Sequence, residues 1–168
     1  MLESLVILSY LFKHPLGNVH QKHKMTLSSP SFLSHGAIPD QNLCQTLPQV
    51  APLHWRYVPK KTQTLALIID NENAPRSERF KLGIFNLDAH LKGLKTMPTG
   101  ANKIQNRPEE ARKAIFCKTQ TSQHLRFRLF ALDKRVFPKQ IKRISDLERS
   151  MRGHIIHSAH LLAYIQKR

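Results

Sequence analysis

Residues 65–87 hold two short apolar runs separated by a polar turn, and no other pattern in the 168-residue chain constrains its fold as tightly. The first run is Leu65-Ala66-Leu67-Ile68-Ile69. It is aliphatic on both alternations, as in a β-strand covered on both faces. Asp70 to Asn73 follow at once, and Asp and Asn favour turns because their side chains hydrogen-bond the nearby backbone. Pro75 has no N–H to offer a ladder and ends it. Lys81 to Leu87 reads as a returning strand. Polar groups held at the end of a buried strand are well placed to form a site.

The rest of the chain supplies elements around this pair. Gln123 to Asp133 alternates Leu125, Phe127 and Leu129 with His124, Arg126 and Arg128, a period-2 strand with one apolar face. Thr26 to Pro39 reads as an edge strand with prolines and a turn at Gly36. Asp40 to Lys61 reads as loop, with Trp55, the only tryptophan, as a core anchor. Leu91, Leu94 and Met97 suit a helical turn, and Gly100 a backbone turn. Arg107-Pro108-Glu109-Glu110-Ala111-Arg112 reads as a helix start, with proline and acids where an N-terminus favours them. Lys139 to Ile165 reads as helical. Ser145 and Glu148 have capping-box spacing, and Leu147, Met151, Ile155, Ala159 and Leu162 recur at helical spacing.

Several of these stretches resemble the phosphatidylethanolamine-binding, or Raf-kinase-inhibitor-like, proteins, in the right order. Asn71-Glu72-Asn73-Ala74-Pro75 resembles that family's Asp-Pro-Asp-Ala-Pro, and Lys81 to Leu87 its following strand. Ser29, Pro30, Phe32, Gly36, Ile38 and Pro39 match its first strand. Ala51-Pro52-Leu53-His54-Trp55 with Val58-Pro59, Gly100-x-Asn102, Phe127 with Ala131-Leu132, and Gly153-His154 through Tyr164 continue the resemblance. It implies a mainly β, two-sheet, β-sandwich-like fold with a C-terminal helix or helices, over residues 25–168. Residues 1–24 are then an extension or a misplaced start. The resemblance also implies an anion pocket built in the family from two acids, two histidines and a tyrosine. The corresponding residues here are Asn71, Asn73, Lys81, Gln123 and Leu125, with His124 one place off. Pro75, Gly100, Asn102 and Leu125 would frame it. Amides donate as well as accept and lysine brings a positive donor, so the pocket's chemistry is altered.

Charge widens the choice of partners. Lys and Arg number 27 against 11 acids, a formal net charge of +16. From Lys92 onward there are 18 basic and 5 acidic residues. Such a field attracts acidic proteins, anionic lipid or nucleic acid. The expectation is a non-catalytic, bacterial-type adaptor or inhibitor with an acidic protein partner. The alternatives are a small phosphate-bearing ligand or phospholipid headgroup, and nucleic acid through Arg126, Arg128, Lys134, Arg135, Lys139, Lys142, Arg143, Arg149 and Arg152. The sequence carries no Gly-x-Ser-x-Gly, phosphate-loop or zinc motif, so neither enzyme activity nor a cofactor is expected. His154, His157 and His160 recur every third residue, but a structural zinc site takes four ligands, so no metal is expected. The apolar stretch Met1 to Phe12 falls short of the roughly 20 residues that span a bilayer. It also lacks a signal peptide's basic start, so a cytoplasmic location is expected over secretion. Cys44 and Cys117 are the only cysteines. Two free thiols are the expectation, with one disulfide as the alternative.

Overall fold

The structure, a computed structural model, describes residues 23–44, 49–104 and 116–168. The extension before residue 23 and the helix expected at Arg107 to Arg112 lie outside the described residues. The strands are β1 (Thr26–Ser28), β2 (Gly36–Ala37), β3 (Gln49–Arg56), β4 (Thr64–Asn71), β5 (Phe80–Asp88), β6 (Gly93–Thr96), β7 (Asn102–Ile104), β8 (Gln123–Leu132) and β9 (Ile155–Ile165), with one helix, α1 (Ile144–Met151), before β9. One sheet runs β1-β3-β6 and the other β2-β9-β8-β4-β5-β7. The mainly β, two-sheet expectation with a helix toward the C-terminus is borne out.

β4 occupies the middle of the larger sheet, and all eight of its residues are buried. Leu65, Leu67 and Ile69 face the smaller sheet and pack with Leu27, Leu53, Trp55, Phe127 and Leu129. Ala66 and Ile68 face the other way, into a second core with Phe85, Ile144, Leu147 and Met151. Trp55 is 1% exposed, and its indole N–H donates to Leu91 O at 2.6 Å, which satisfies the one polar group the ring carries into the core. Gly83 lets α1 sit close: a Cβ there would lie 2.8 Å from Ile144 Cδ1 and 2.9 Å from Ile104 Cγ2.

Four expectations need correction. The stretch Asp40 to Lys61 is not all loop, because β3 lies within it, with Ala51, Leu53 and Trp55 alternating inward. Leu94 belongs to strand β6, paired with Leu53, rather than to a helical turn. The C-terminal helix occupies only Ile144–Met151. Its N-terminal acceptor is Asp146, whose Oδ2 takes the Arg143 N–H at 2.9 Å, not the Ser145–Glu148 pair. Gly153 at φ 78° follows the helix, a left-handed position glycine adopts freely. Beyond it Ala159, Leu161, Ala163 and Ile165 are buried on a period of two, so the pattern read as helical spacing is also a strand pattern.

The fourth correction concerns the thiols. Cys44 and Cys117 form a disulfide, with a Cα–Cα distance of 4.5 Å and a sequence separation of 73. It joins the stretch after the 3-10 turn Asp40–Asn42 to the lead into β8. Cys44 N donates to Phe116 O at 2.9 Å, and Lys118 Nζ lies 2.8 Å from Asp40 Oδ1. A link closing so long a loop restricts the unfolded chain, so paired Cys44→Ser and Cys117→Ser replacements are expected to cost about 2–4 kcal/mol. Urea denaturation of the variant against oxidised wild type measures this; coincident curves would refute it.

Candidate functional site

The end of β4 is where the chain gathers its unusual polar groups. Asn71, 7% exposed, is the last residue of the strand. Its N–H donates to Arg79 O at 2.6 Å across the turn. Its side-chain Oδ1 accepts the His124 N–H at 3.0 Å and the Asn73 N–H at 3.4 Å. One amide oxygen thus ties the start of β8 and the following turn to the end of β4. Gln123, 3% exposed, turns inward, and its Nε2 donates to Cys117 O at 2.7 Å. Its Oε1 is buried with no hydrogen-bond partner among the described residues. Leu125 lies opposite Asn71 in the ladder and is 1% exposed, part of the core between the sheets.

Of the residues singled out from sequence, Asn71, Asn73, Gln123, His124 and Leu125 come together here. Lys81 is half-buried beside them, at the irregularity where Ile69 pairs with Leu82 and Asp70 with Phe80. Asn73 and Pro75 are exposed in the turn. Gly100 and Asn102 do not join the group. Asn102 pairs with Phe85, toward the far end of β5, and its Oδ1 accepts Asn86 Nδ2 at 2.9 Å. Gly100, at φ 82°, stands in the turn before it with open space around its Cα. Gly100-x-Asn102 is therefore a turn and a brace for Asn86.

Sequence reading missed the centre of charge. Asp70 was expected in a turn, yet it lies inside β4 with 1% of its side chain exposed. Its Oδ1 accepts Arg126 Nε at 3.2 Å, and its Oδ2 accepts Arg128 Nη2 at 2.8 Å. Arg126 also meets Glu72 at 3.0 Å, and Arg128 meets Glu148 of α1 at 3.1 Å. The hydrogen bonds that Arg126 donates to Asp70 raise its pKa above the ordinary value, so that guanidinium stays charged at any working pH. Two arginines offered above as phosphate ligands are therefore engaged by carboxylates. The signal was in the register: residues facing outward on β8 fall beside the one acid that ends an apolar run.

Two clefts open on this outer face and share Glu72 and Leu162. One, of about 160 Å³, brings His35, His124 and Tyr164 together. The other, of about 290 Å³, is lined by Arg126, Arg128, Phe130 and His160. Among the described residues no three His, Cys, Asp or Glu side chains are grouped to hold a metal ion. His154, His157 and His160 are spread from the end of the α1–β9 turn along β9, and His154 Nδ1 lies 2.8 Å from Asp133 Oδ1. Also among the described residues, no helix is long and apolar enough to cross a membrane.

Comparison with known proteins agrees with this architecture. The family model for phosphatidylethanolamine-binding protein matches residues 28–166. A UPF0098 protein of Methanothermobacter thermautotrophicus is 27% identical over 150 residues, 85% of this chain and 99% of its own. The crystal structure of CT736, a putative phosphatidylethanolamine-binding protein homologue of Chlamydia trachomatis, aligns with a TM-score of 0.74 at 25% identity, over 86% of this chain and 99% of that one. YbcL of Escherichia coli shares the fold, with a TM-score of 0.67 at 15% identity over 87% and 100% of the two chains.

The double role of Asn71 Oδ1 can be measured. Asn71→Ala leaves two partly buried N–H groups without their acceptor and is expected to cost about 1–3 kcal/mol in thermal or denaturant unfolding. Asn71→Asp keeps an acceptor at the same place and is expected to retain most of that stability. Equal losses in both variants would contradict the bracing role.

Proposed function

The chain belongs to the phosphatidylethanolamine-binding protein family, and from that premise we propose a non-catalytic binding protein whose inherited ligand position now braces the fold. The observation that carries this reading is the engagement of Asn71 Oδ1 by two backbone amides. A group already accepting the His124 and Asn73 N–H bonds has little left to offer a ligand. Leu125, in the position of the family's tyrosine, is packed into the core and brings no hydroxyl. With the pocket converted to structure, the working surface is the outside of the molecule. A formal net charge of +16 suits an adaptor or inhibitor that meets an acidic protein partner.

A second reading has an observation of its own. Gln123 Oε1 and Arg79 Nε are both buried without hydrogen-bond partners among the described residues, and such groups are costly unless something pairs with them. A small phosphate-bearing ligand or a phospholipid headgroup offers both acceptors and a donor. It would restore an anion site at the end of β4.

One titration separates the two. Side-chain amide signals of Asn71 and Gln123, with the His124 backbone amide, are followed by NMR as orthophosphate and then phosphoethanolamine are added to millimolar levels. The bracing account expects no saturable shift at these groups. Saturable shifts at Gln123 that vanish in Arg79→Ala would establish the ligand reading instead.

A further inference from the structure

The segment joining β8 to α1, residues 133–143, reads Asp-Lys-Arg-Val-Phe-Pro-Lys-Gln-Ile-Lys-Arg. Two apolar anchors hold it down: Val136 is 2% exposed and Ile141 9%. Asn86, itself at φ 57°, grips Val136 from both sides. Val136 N donates to Asn86 Oδ1 at 2.9 Å, and Asn86 Nδ2 donates to Val136 O at 2.8 Å. Beyond this grip the 3-10 turn Pro138–Gln140 closes with hydrogen bonds from Gln140 N to Phe137 O and from Ile141 N to Pro138 O, each 3.1 Å.

Phe137 sits between the grip and the turn, 68% exposed. A firmly anchored backbone thus holds an aromatic ring in water, which folding by itself does not reward. Lys134, Arg135, Lys139, Lys142 and Arg143 surround it in sequence. Among the described residues none of these five side chains forms an ion pair. The neighbouring acids are engaged elsewhere. Asp133 meets His154, and Asp146 accepts the backbone N–H groups of Lys142 and Arg143. Ile155 and Ile156, 44% and 36% exposed, add apolar surface at the same end of the sheet, since Ile155 pairs with Leu132 just before the segment.

We propose that this end of the molecule is a membrane-surface face, with Phe137 entering the interface of an anionic bilayer while the five cations meet lipid phosphates and carboxylates. An amphipathic surface of this kind binds through buried apolar area together with attraction to anionic lipid. Charge complementarity selects the occupant: the segment carries five cations without ion-pair partners among the described residues, around one exposed ring. Phe137 lines neither of the two outer-face clefts described above. The net charge of +16 adds long-range attraction to the same kind of surface. This face is separate from the end of β4 and does not depend on what that site binds.

The test is co-flotation of the full chain with vesicles of phosphatidylcholine alone and of phosphatidylcholine with phosphatidylserine, at near-physiological salt. Wild type is expected to partition onto the anionic vesicles and not onto the neutral ones. Phe137→Ser, or Lys139→Glu with Lys142→Glu, should each weaken partition by about tenfold or more. Lys167→Glu with Arg168→Glu makes the same change in net charge at exposed positions beyond the opposite end of β9, and should alter partition by no more than about twofold. Phe137→Trp should keep binding and add a vesicle-dependent blue shift that the buried Trp55 of wild type does not show. Absence of partition, equal binding to neutral vesicles, or equal losses in the two charge-reversed pairs would overturn the proposal. So would Phe137-dependent binding to polyglutamate or single-stranded DNA that exceeds binding to vesicles.

Discussion

β4 has no face that meets water, and covering it organises the other elements. The smaller sheet closes over Leu65, Leu67 and Ile69, while α1 and the segment before it close over Ala66 and Ile68. Each such aliphatic side chain contributes about 1.5–3 kcal/mol when fully buried. The strand then runs past its apolar stretch, and the first residue beyond it, Asp70, lies on the outer side. A carboxylate buried there without compensation would be prohibitive. Arg126 and Arg128, on the same face of β8, supply the compensation, and Glu72 and Glu148 each add a second ion pair to one of them. Breaking a buried pair costs far more than the pair contributes relative to an apolar substitute. The network therefore acts mainly as a constraint on register, holding β8 against β4.

The next residue, Asn71, presents a neutral oxygen to two backbone N–H groups. Gln123 and Cys117 extend the same pattern, with the disulfide fixing the segment whose carbonyl Gln123 meets. What reaches solvent is a basic surface with a few exposed apolar side chains among the described residues, Phe137 among them.

The strands with one clear periodicity were legible in the sequence. β4 and β8 lie where their apolar patterns place them, and Trp55 is the core anchor its size implies. The stretch from Ile155 to Ile165 was not, because Ile155, Ala159 and Leu162 satisfy helical spacing while Ala159, Leu161, Ala163 and Ile165 satisfy strand spacing. Gly153 at positive φ decides between them by ending α1. β3 was hidden because part of its length is an edge pattern interrupted by Pro52. At the site, the grouping of Asn71, Gln123 and His124 came from the family resemblance, and the pairing of Asn71 with Leu125 brings them together. The role of Asp70 did not, since an acid beside Asn reads as turn until its cross-strand neighbours are known. The disulfide was equally closed to inspection, because two cysteines 73 residues apart say nothing of their distance in space.

The account turns on the hydrogen bond from the His124 N–H to Asn71 Oδ1, and amide hydrogen exchange measures it directly. His124 is an exposed residue at the start of a strand, where fraying would normally leave its amide fast to exchange. The bond predicts protection for that amide close to the neighbouring ladder positions of β8, lost in Asn71→Ala while Phe127 and Leu129 stay protected. Exchange of the wild-type His124 amide at an unprotected rate would contradict the bracing role and reopen the end of β4 to a ligand.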